Sequence, residues 1–143
     1  MPVLTRWYIK SSLLYFIAAL LLGLVLALRL LVTLPAFVAF LTPAYFHLLM
    51  VGWITQMIFG VAYWMFPTYS REQPRGSEKL GWATYLFLNS GLLLRAVGEP
   101  LVASRPEAGL GWLLLLSALL QWLASLCFVA NTWPRARGKR QHA

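Results

Sequence analysis

Histidine and arginine side chains within apolar runs can do chemistry here that helix packing alone does not require. His47 lies inside the hydrophobic stretch 44–66. A neutral imidazole in a low-dielectric helix bundle can donate a ring nitrogen to haem iron, or it can hydrogen-bond a neighbouring helix. Arg29 and Arg95 stand near the ends of two other apolar runs. Their guanidinium groups can pair with anions such as haem propionates or extend to lipid head groups, so the residue types leave both roles open.

The stretch around His47 has two different faces. At about 100° per residue, Gly52, Gln56, Gly60 and Tyr63 share one face of a helix, and His47 lies on the opposite one. Glycines on one face let two helices approach closely, and a glutamine among them can hydrogen-bond across the contact. The same flat surface can instead accommodate a planar cofactor.

The composition predicts that lipid surrounds the elements that carry these residues. The 143-residue chain is 60% hydrophobic and 11% charged, and its mean hydropathy is +0.69. A surface this apolar does not suit water, and each helical crossing of a bilayer needs about 20 apolar residues. The length therefore allows four crossings and no separate soluble domain. We expect an all-α, integral membrane four-helix bundle that forms one domain over residues 1–134.

Apolar runs and helix-breaking residues define the four predicted spans. They are expected at about 11–32, 44–66, 80–97 and 110–132. Pro67 ends the second span, and Gly98, Glu99 and Pro100 break the third. The basic residues 135–143 are expected to form a tail outside the bundle.

The basic residues divide unequally between the two ends of this predicted bundle. Nine of the twelve share one end and three, Arg29, Arg95 and Arg105, lie at the other; the nine are Arg6, Lys10, Arg71, Arg75, Lys79, Arg135, Arg137, Lys139 and Arg140. Because positive charge accumulates in cytoplasmic loops, the pattern predicts that both termini face the cytoplasm. The charges interrupt apolar runs and do not form a basic face, which argues against nucleic-acid binding.

The residues from His47 to Pro67 also resemble a known family. Their pattern, H-L-x-x-x-G-W-x-x-x-x-x-x-G-x-x-Y-x-x-x-P, is similar to a helix of haem-copper oxidase subunit I-like proteins, including nitric oxide reductase-like and NnrS-like membrane haemoproteins. The resemblance covers about a sixth of the chain. It implies that His47 is an axial ligand of haem b near the outer surface. The propionates would point outward, toward the side on which Arg29 and Arg95 are expected.

Two departures from the family limit what the resemblance implies. Related segments often carry a His-x-His pair, but Tyr45 stands two residues before His47, and the histidines of an oxidase copper site are absent. A complete haem-copper centre is therefore not expected. A second axial histidine would have to come from another copy of the chain or from a partner subunit. Otherwise a methionine (Met50, Met57 or Met65) or water would be the second axial ligand of the iron, or that position would stay open.

The leading interpretation is a membrane b-type haem protein related to respiratory oxidase or nitric oxide reductase subunits, active in electron transfer or in handling NO or O2. One alternative is a structural or assembly subunit without haem in a larger respiratory complex. Another is a quinone-binding subunit in which Tyr45, His47 and an arginine meet the quinone carbonyl. A homo-oligomer or larger complex in a bacterial or archaeal cytoplasmic membrane is expected. No acid-base or nucleophilic set indicates independent catalysis.

Overall fold

The computed structural model describes residues 1–136, and these residues form helices and turns without a strand. Four helices in this part of the chain are long and apolar enough to cross a membrane: Val3–Leu28, Ala36–Met65, Glu78–Ser104 and Gly111–Ala136. The predicted all-helical fold with four candidate spans is confirmed.

The second span is built from several helical types, whereas the other three are each one α-helix. The elements in order are α1 (Val3–Leu28), a 3-10 helix (Ala36–Leu41), α2 (Thr42–His47), a π-helix (Leu48–Thr55), α3 (Gln56–Met65), α4 (Glu78–Ser104), a short 3-10 helix (Pro106–Ala108) and α5 (Gly111–Ala136). Within the candidate span Ala36–Met65, we refer to the continuous run from α2 to α3, Thr42–Met65, as the second span.

Several helix ends differ from the boundaries expected from sequence, and α1 ends at Leu28 instead of at residue 32. Helix α1 begins at Val3, directly after Pro2, so its first two turns lie before the apolar run. Helix α4 does not stop at Gly98 but continues through Pro100 to Ser104. Pro100 has no amide to donate and its ring crowds the carbonyl four residues earlier, but the residues after it still continue the helix. Thus the Arg105 amide donates to the Leu101 carbonyl at 3.1 Å.

Helix α5 extends to Ala136, so residues 135 and 136 of the expected basic tail are helical. Residues 137–143 lie outside the described part of the chain. The Arg135 side chain is only 2% exposed. Its guanidinium donates to the carbonyls of Pro67 at 3.1 Å, Tyr63 at 3.0 Å and Phe66 at 2.8 Å. These carbonyls lie at the end of α3, where helical partners are missing, so Arg135 caps that helix from α5.

The bundle consists of two antiparallel hairpins. Helices α4 and α5 pack along their length, and the Ser117 hydroxyl donates to the Gly91 carbonyl between them at 2.7 Å. Helix α1 packs along the second span. A Cβ placed on Gly60 would lie 2.6 Å from the Tyr8 Cβ, so the backbone there approaches a neighbouring helix closely.

Tyrosines join the first hairpin to α4. The Tyr15 hydroxyl donates to the Asn89 side chain at 2.9 Å, and the hydroxyls of Ser11 and Tyr85 lie 2.6 Å apart. A buried cluster of Leu4, Tyr8 and Tyr63 lies at one end of the bundle. Arg135 at the end of α5 bonds the Tyr63 carbonyl, so the start of α1 and the end of α5 share this end of the molecule.

Apolar side chains cover the outside of the bundle. Within the most hydrophobic window of each span, only 11% to 22% of the residues are buried inside the structure. Water would not favour a leucine-rich surface of this extent, whereas the acyl chains of a bilayer suit it. The helices therefore indicate an integral membrane protein whose main contact is with lipid.

Candidate functional site

A π-helical segment determines which way His47 faces. Leu48–Thr55 forms hydrogen bonds over five residues, including one from the Gln56 amide to the Val51 carbonyl. The Thr55 hydroxyl donates to the Met50 carbonyl, also five residues earlier, at 2.9 Å. A π-helix turns through a smaller angle per residue than an α-helix, so His47 is rotated relative to the α-helical expectation. Helix α2 packs against α4.

His47 is held through one ring nitrogen. Its Nδ1 lies 3.0 Å from the Pro43 carbonyl and 3.3 Å from Glu99 Oε1 on α4. The carbonyl can only accept, and an ionised carboxylate can only accept, so this environment favours a proton on Nδ1. In the neutral ring Nε2 then carries a lone pair. Within residues 1–136, Nε2 makes no hydrogen bond.

Glu99 also joins Arg95 to this site. Arg95 Nε lies 3.6 Å from the same carboxylate oxygen, one helical turn away. The side chains of Glu99 and Arg95 are 11% and 21% exposed, so both charges lie largely inside the protein. Glu99 Oε2 and Arg95 Nε are buried without a hydrogen-bond partner in the described residues. Ionisable groups placed like this within membrane spans are costly and typical of functional sites.

The predicted site residues separate into two groups. His47 and Arg95 come together through Glu99, but Arg29 stays exposed at the end of α1 and forms no ion pair within the described residues. Tyr45 packs on α1: a Cβ on Gly23 would lie 3.0 Å from its ring. The structure therefore forms a His47, Arg95 and Glu99 cluster, with Arg29 and Tyr45 outside it.

The glycine face of the second span is occupied by protein side chains. A Cβ on Gly52 would lie 2.8 Å from the Tyr15 Cβ and 2.9 Å from Leu92, and Gly60 contacts Tyr8. Both glycines thus mediate helix packing in this structure. Gln56 between them is fully buried, but neither amide atom finds a hydrogen-bond partner in the described residues. The expected bond across the seam is not formed.

Sequence reasoning missed Glu99, which was interpreted only as part of a helix break. The signal was present, because Arg95 and Glu99 are four residues apart and such pairs share a helix face. Glu99 is also one of only four acidic residues in the chain. Its approach to His47 depended on helix packing and could not be inferred from spacing.

The described residues contain no group of three or more His, Cys, Asp or Glu side chains that could hold a metal ion by themselves. Any metal here would need further ligands, such as those of a porphyrin. Comparisons of the chain with models of protein families, with characterised proteins and with solved structures gave no match. The resemblance to haem-copper oxidase subunits therefore stays a prediction.

Proposed function

We propose that this chain is a membrane b-type haem-binding protein related to respiratory oxidase or nitric oxide reductase subunits, with His47 Nε2 as an axial ligand. The observation that supports this proposal is the contact of Nδ1 with the Pro43 carbonyl and Glu99. Metal-ligating histidines characteristically donate the other ring N–H to a carbonyl or carboxylate, which orients the ring and raises its basicity.

The residues present fit haem on the outer side of α2 better than inside the bundle. His47 keeps 29% of its side chain exposed, whereas Tyr8, Tyr15 and Leu92 occupy the space beside the glycines. A haem bound there would supply one-electron transfer and diatomic gas binding. In this proposal, Pro43 and Glu99 orient the imidazole and Arg95 balances the Glu99 charge.

Arg29 fits the proposed propionate contact better than Arg95 does. It is exposed, and it forms no ion pair within the described residues. Arg95 already lies beside Glu99, so its charge is partly compensated. A second histidine ligand would come from another copy of the chain or from a subunit of a larger respiratory complex; without one, a methionine or water would bind the iron, or that position would stay open.

Absorption spectroscopy of the detergent-purified protein, expressed with ample haem, tests this proposal. We expect a Soret band and, after reduction, α and β bands. The bands should be lost in His47→Ala and kept in His142→Ala, which removes the only other histidine. A colourless but folded wild-type protein would contradict haem binding and favour the structural or quinone-binding alternatives. Loss of the bands in both variants would contradict the assignment to His47.

We also infer that the end of the bundle at which α1 begins and α5 ends faces the cytoplasm of a bacterial or archaeal cell. Within residues 1–136, six of the nine basic residues belong to that end, namely Arg6, Lys10, Arg71, Arg75, Lys79 and Arg135, and cytoplasmic loops carry an excess of basic residues.

A further inference from the structure

A groove on α1 combines basic and apolar side chains near the basic end of the bundle. Its volume is about 330 Å³, and its lining residues are Val3, Arg6, Trp7, Lys10, Ser11 and Leu14. Two of the six are cationic and none is acidic. Trp7 is 51% exposed, as expected for an indole at the boundary between bilayer and water.

The two cations are poorly explained by the helix itself. Arg6 and Lys10 lie in the first turns of α1, and its first turn contains no acidic residue. A basic residue in the first turn of a helix, such as Arg6, adds to the positive end of the macrodipole and opposes helix stability. Arg6 makes only a 3.4 Å hydrogen bond to the Met1 carbonyl, and Lys10 makes none within residues 1–136. A bound anion would compensate this positive charge.

The polarity of α1 along this face matches that of a phospholipid. Arg6 and Lys10 are one turn apart, and Leu14 lies one turn further into the apolar run. Beyond Leu14 the exposed positions Ile17 and Leu21 continue the same side of the helix at spacings of three and four residues. If the head group of a phospholipid contacts Arg6 and Lys10, an acyl chain of the same lipid can therefore lie along the exposed apolar side chains.

We propose that this groove binds the head group of an anionic phospholipid, with the phosphate held by Arg6 and Lys10 and an acyl chain against Leu14 and Ile17. Ser11 adds a hydroxyl at the side of the groove, and its contact with Tyr85 ties the groove to α4. This inference does not depend on haem binding.

Native mass spectrometry of the purified protein, titrated with phosphatidylglycerol in detergent, tests the proposal. We expect the first binding event to weaken roughly 10- to 30-fold in the Arg6→Gln/Lys10→Gln variant, since each basic residue contributes to attraction of an anionic lipid. The exchanged variant Arg6→Lys/Lys10→Arg should retain binding within a few fold. Thermal unfolding of each variant in the same detergent checks that the bundle is intact.

Matched controls separate a specific groove from general charge attraction. The variant Arg71→Gln/Lys79→Gln removes two exposed charges from the same end of the bundle and should leave the first binding event unchanged. An equal loss in this control would overturn the proposal. So would equal binding of phosphatidylcholine, or displacement of the lipid by inorganic phosphate, which would indicate a site for free phosphate.

Discussion

At the scale of single residues, the candidate site depends on which polar groups find partners. His47 Nδ1 and Arg95 both meet Glu99 Oε1, yet Oε2 of the same carboxylate is buried without a hydrogen bond in the described residues. A carboxylate beside a guanidinium and an imidazole ring nitrogen is less costly within a bilayer than an isolated one. In the proposed haem site, Glu99 would orient the imidazole through this contact.

Arg135 illustrates a different use of a buried charge. Replacing it with methionine should lower the free energy of unfolding by about 2–4 kcal/mol, since several carbonyls at the end of α3 lose a charged donor. The free energy of unfolding of Arg135→Lys should lie between those of the wild type and Arg135→Met, because one ammonium cannot reproduce the planar guanidinium fork. SDS titration in mixed micelles, followed by circular dichroism, measures the change.

The exposed residue Arg71 provides the control for that experiment. Arg71→Gln removes the same charge but no buried contact, and it should change stability by no more than about 0.5 kcal/mol. Equal stabilities of the two variants would show that Arg135 does not hold the end of α3.

At the scale of helices, the glycines of the second span set how closely α1 approaches. Gly52→Ala and Gly60→Ala should each destabilise the bundle by about 1–3 kcal/mol, because the added methyl meets the Cβ of Tyr15 or Tyr8. Those atoms are next to the α1 backbone, so a side-chain rotation cannot move them away.

Gly111→Ala is the matched control, since a Cβ there meets nothing within 4 Å. Alanine has the higher helix propensity, so this variant should be neutral or slightly more stable. Thermal unfolding in one detergent compares the three variants. Unchanged stability of Gly52→Ala and Gly60→Ala would argue against close helix packing at these glycines. It would favour the alternative that this face accommodates a planar cofactor.

At the scale of the whole molecule, the hairpin arrangement places the loop after α3 and the turn after α4 at opposite ends. Helix α4, which joins them, has 27 residues and is therefore about 40 Å long. Cysteine labelling in a Cys127→Ser background tests the orientation. In intact bacterial cells, a membrane-impermeant maleimide should label Ala108→Cys, whereas Ser70→Cys should react only after lysis.

Reversed labelling of those two positions would contradict the cytoplasmic placement of the basic end. Labelling of both positions in intact cells would mean that α4, the helix between them, does not cross the bilayer. Residues 70 and 108 are both exposed, so burial would not account for a missing signal.

The sequence alone determined the four candidate spans, because runs of about 20 apolar residues have few alternatives to a membrane helix. Its periodicity also identified the buried face at Gly52, Gln56 and Gly60, because residues four apart lie close to one face of a helix, and the π-helical turns leave all three buried. Apolar runs and helix periodicity were enough for these predictions. Helix-breaking residues, by contrast, predicted the ends of α4 and α5 several residues too early. A proline near a helix end does not have to break it.

Only the tertiary structure decided how the polar residues are paired. Glu99 reaches His47 because α2, which directly precedes a π-helical segment whose turn differs from that of an α-helix, packs on α4. Arg135 was expected in a tail outside the bundle. Instead its guanidinium donates to uncapped carbonyls at the end of α3, which belongs to the other hairpin. Both contacts join residues more than 50 positions apart, so they depend on the relative placement of whole helices. No local pattern encodes that placement.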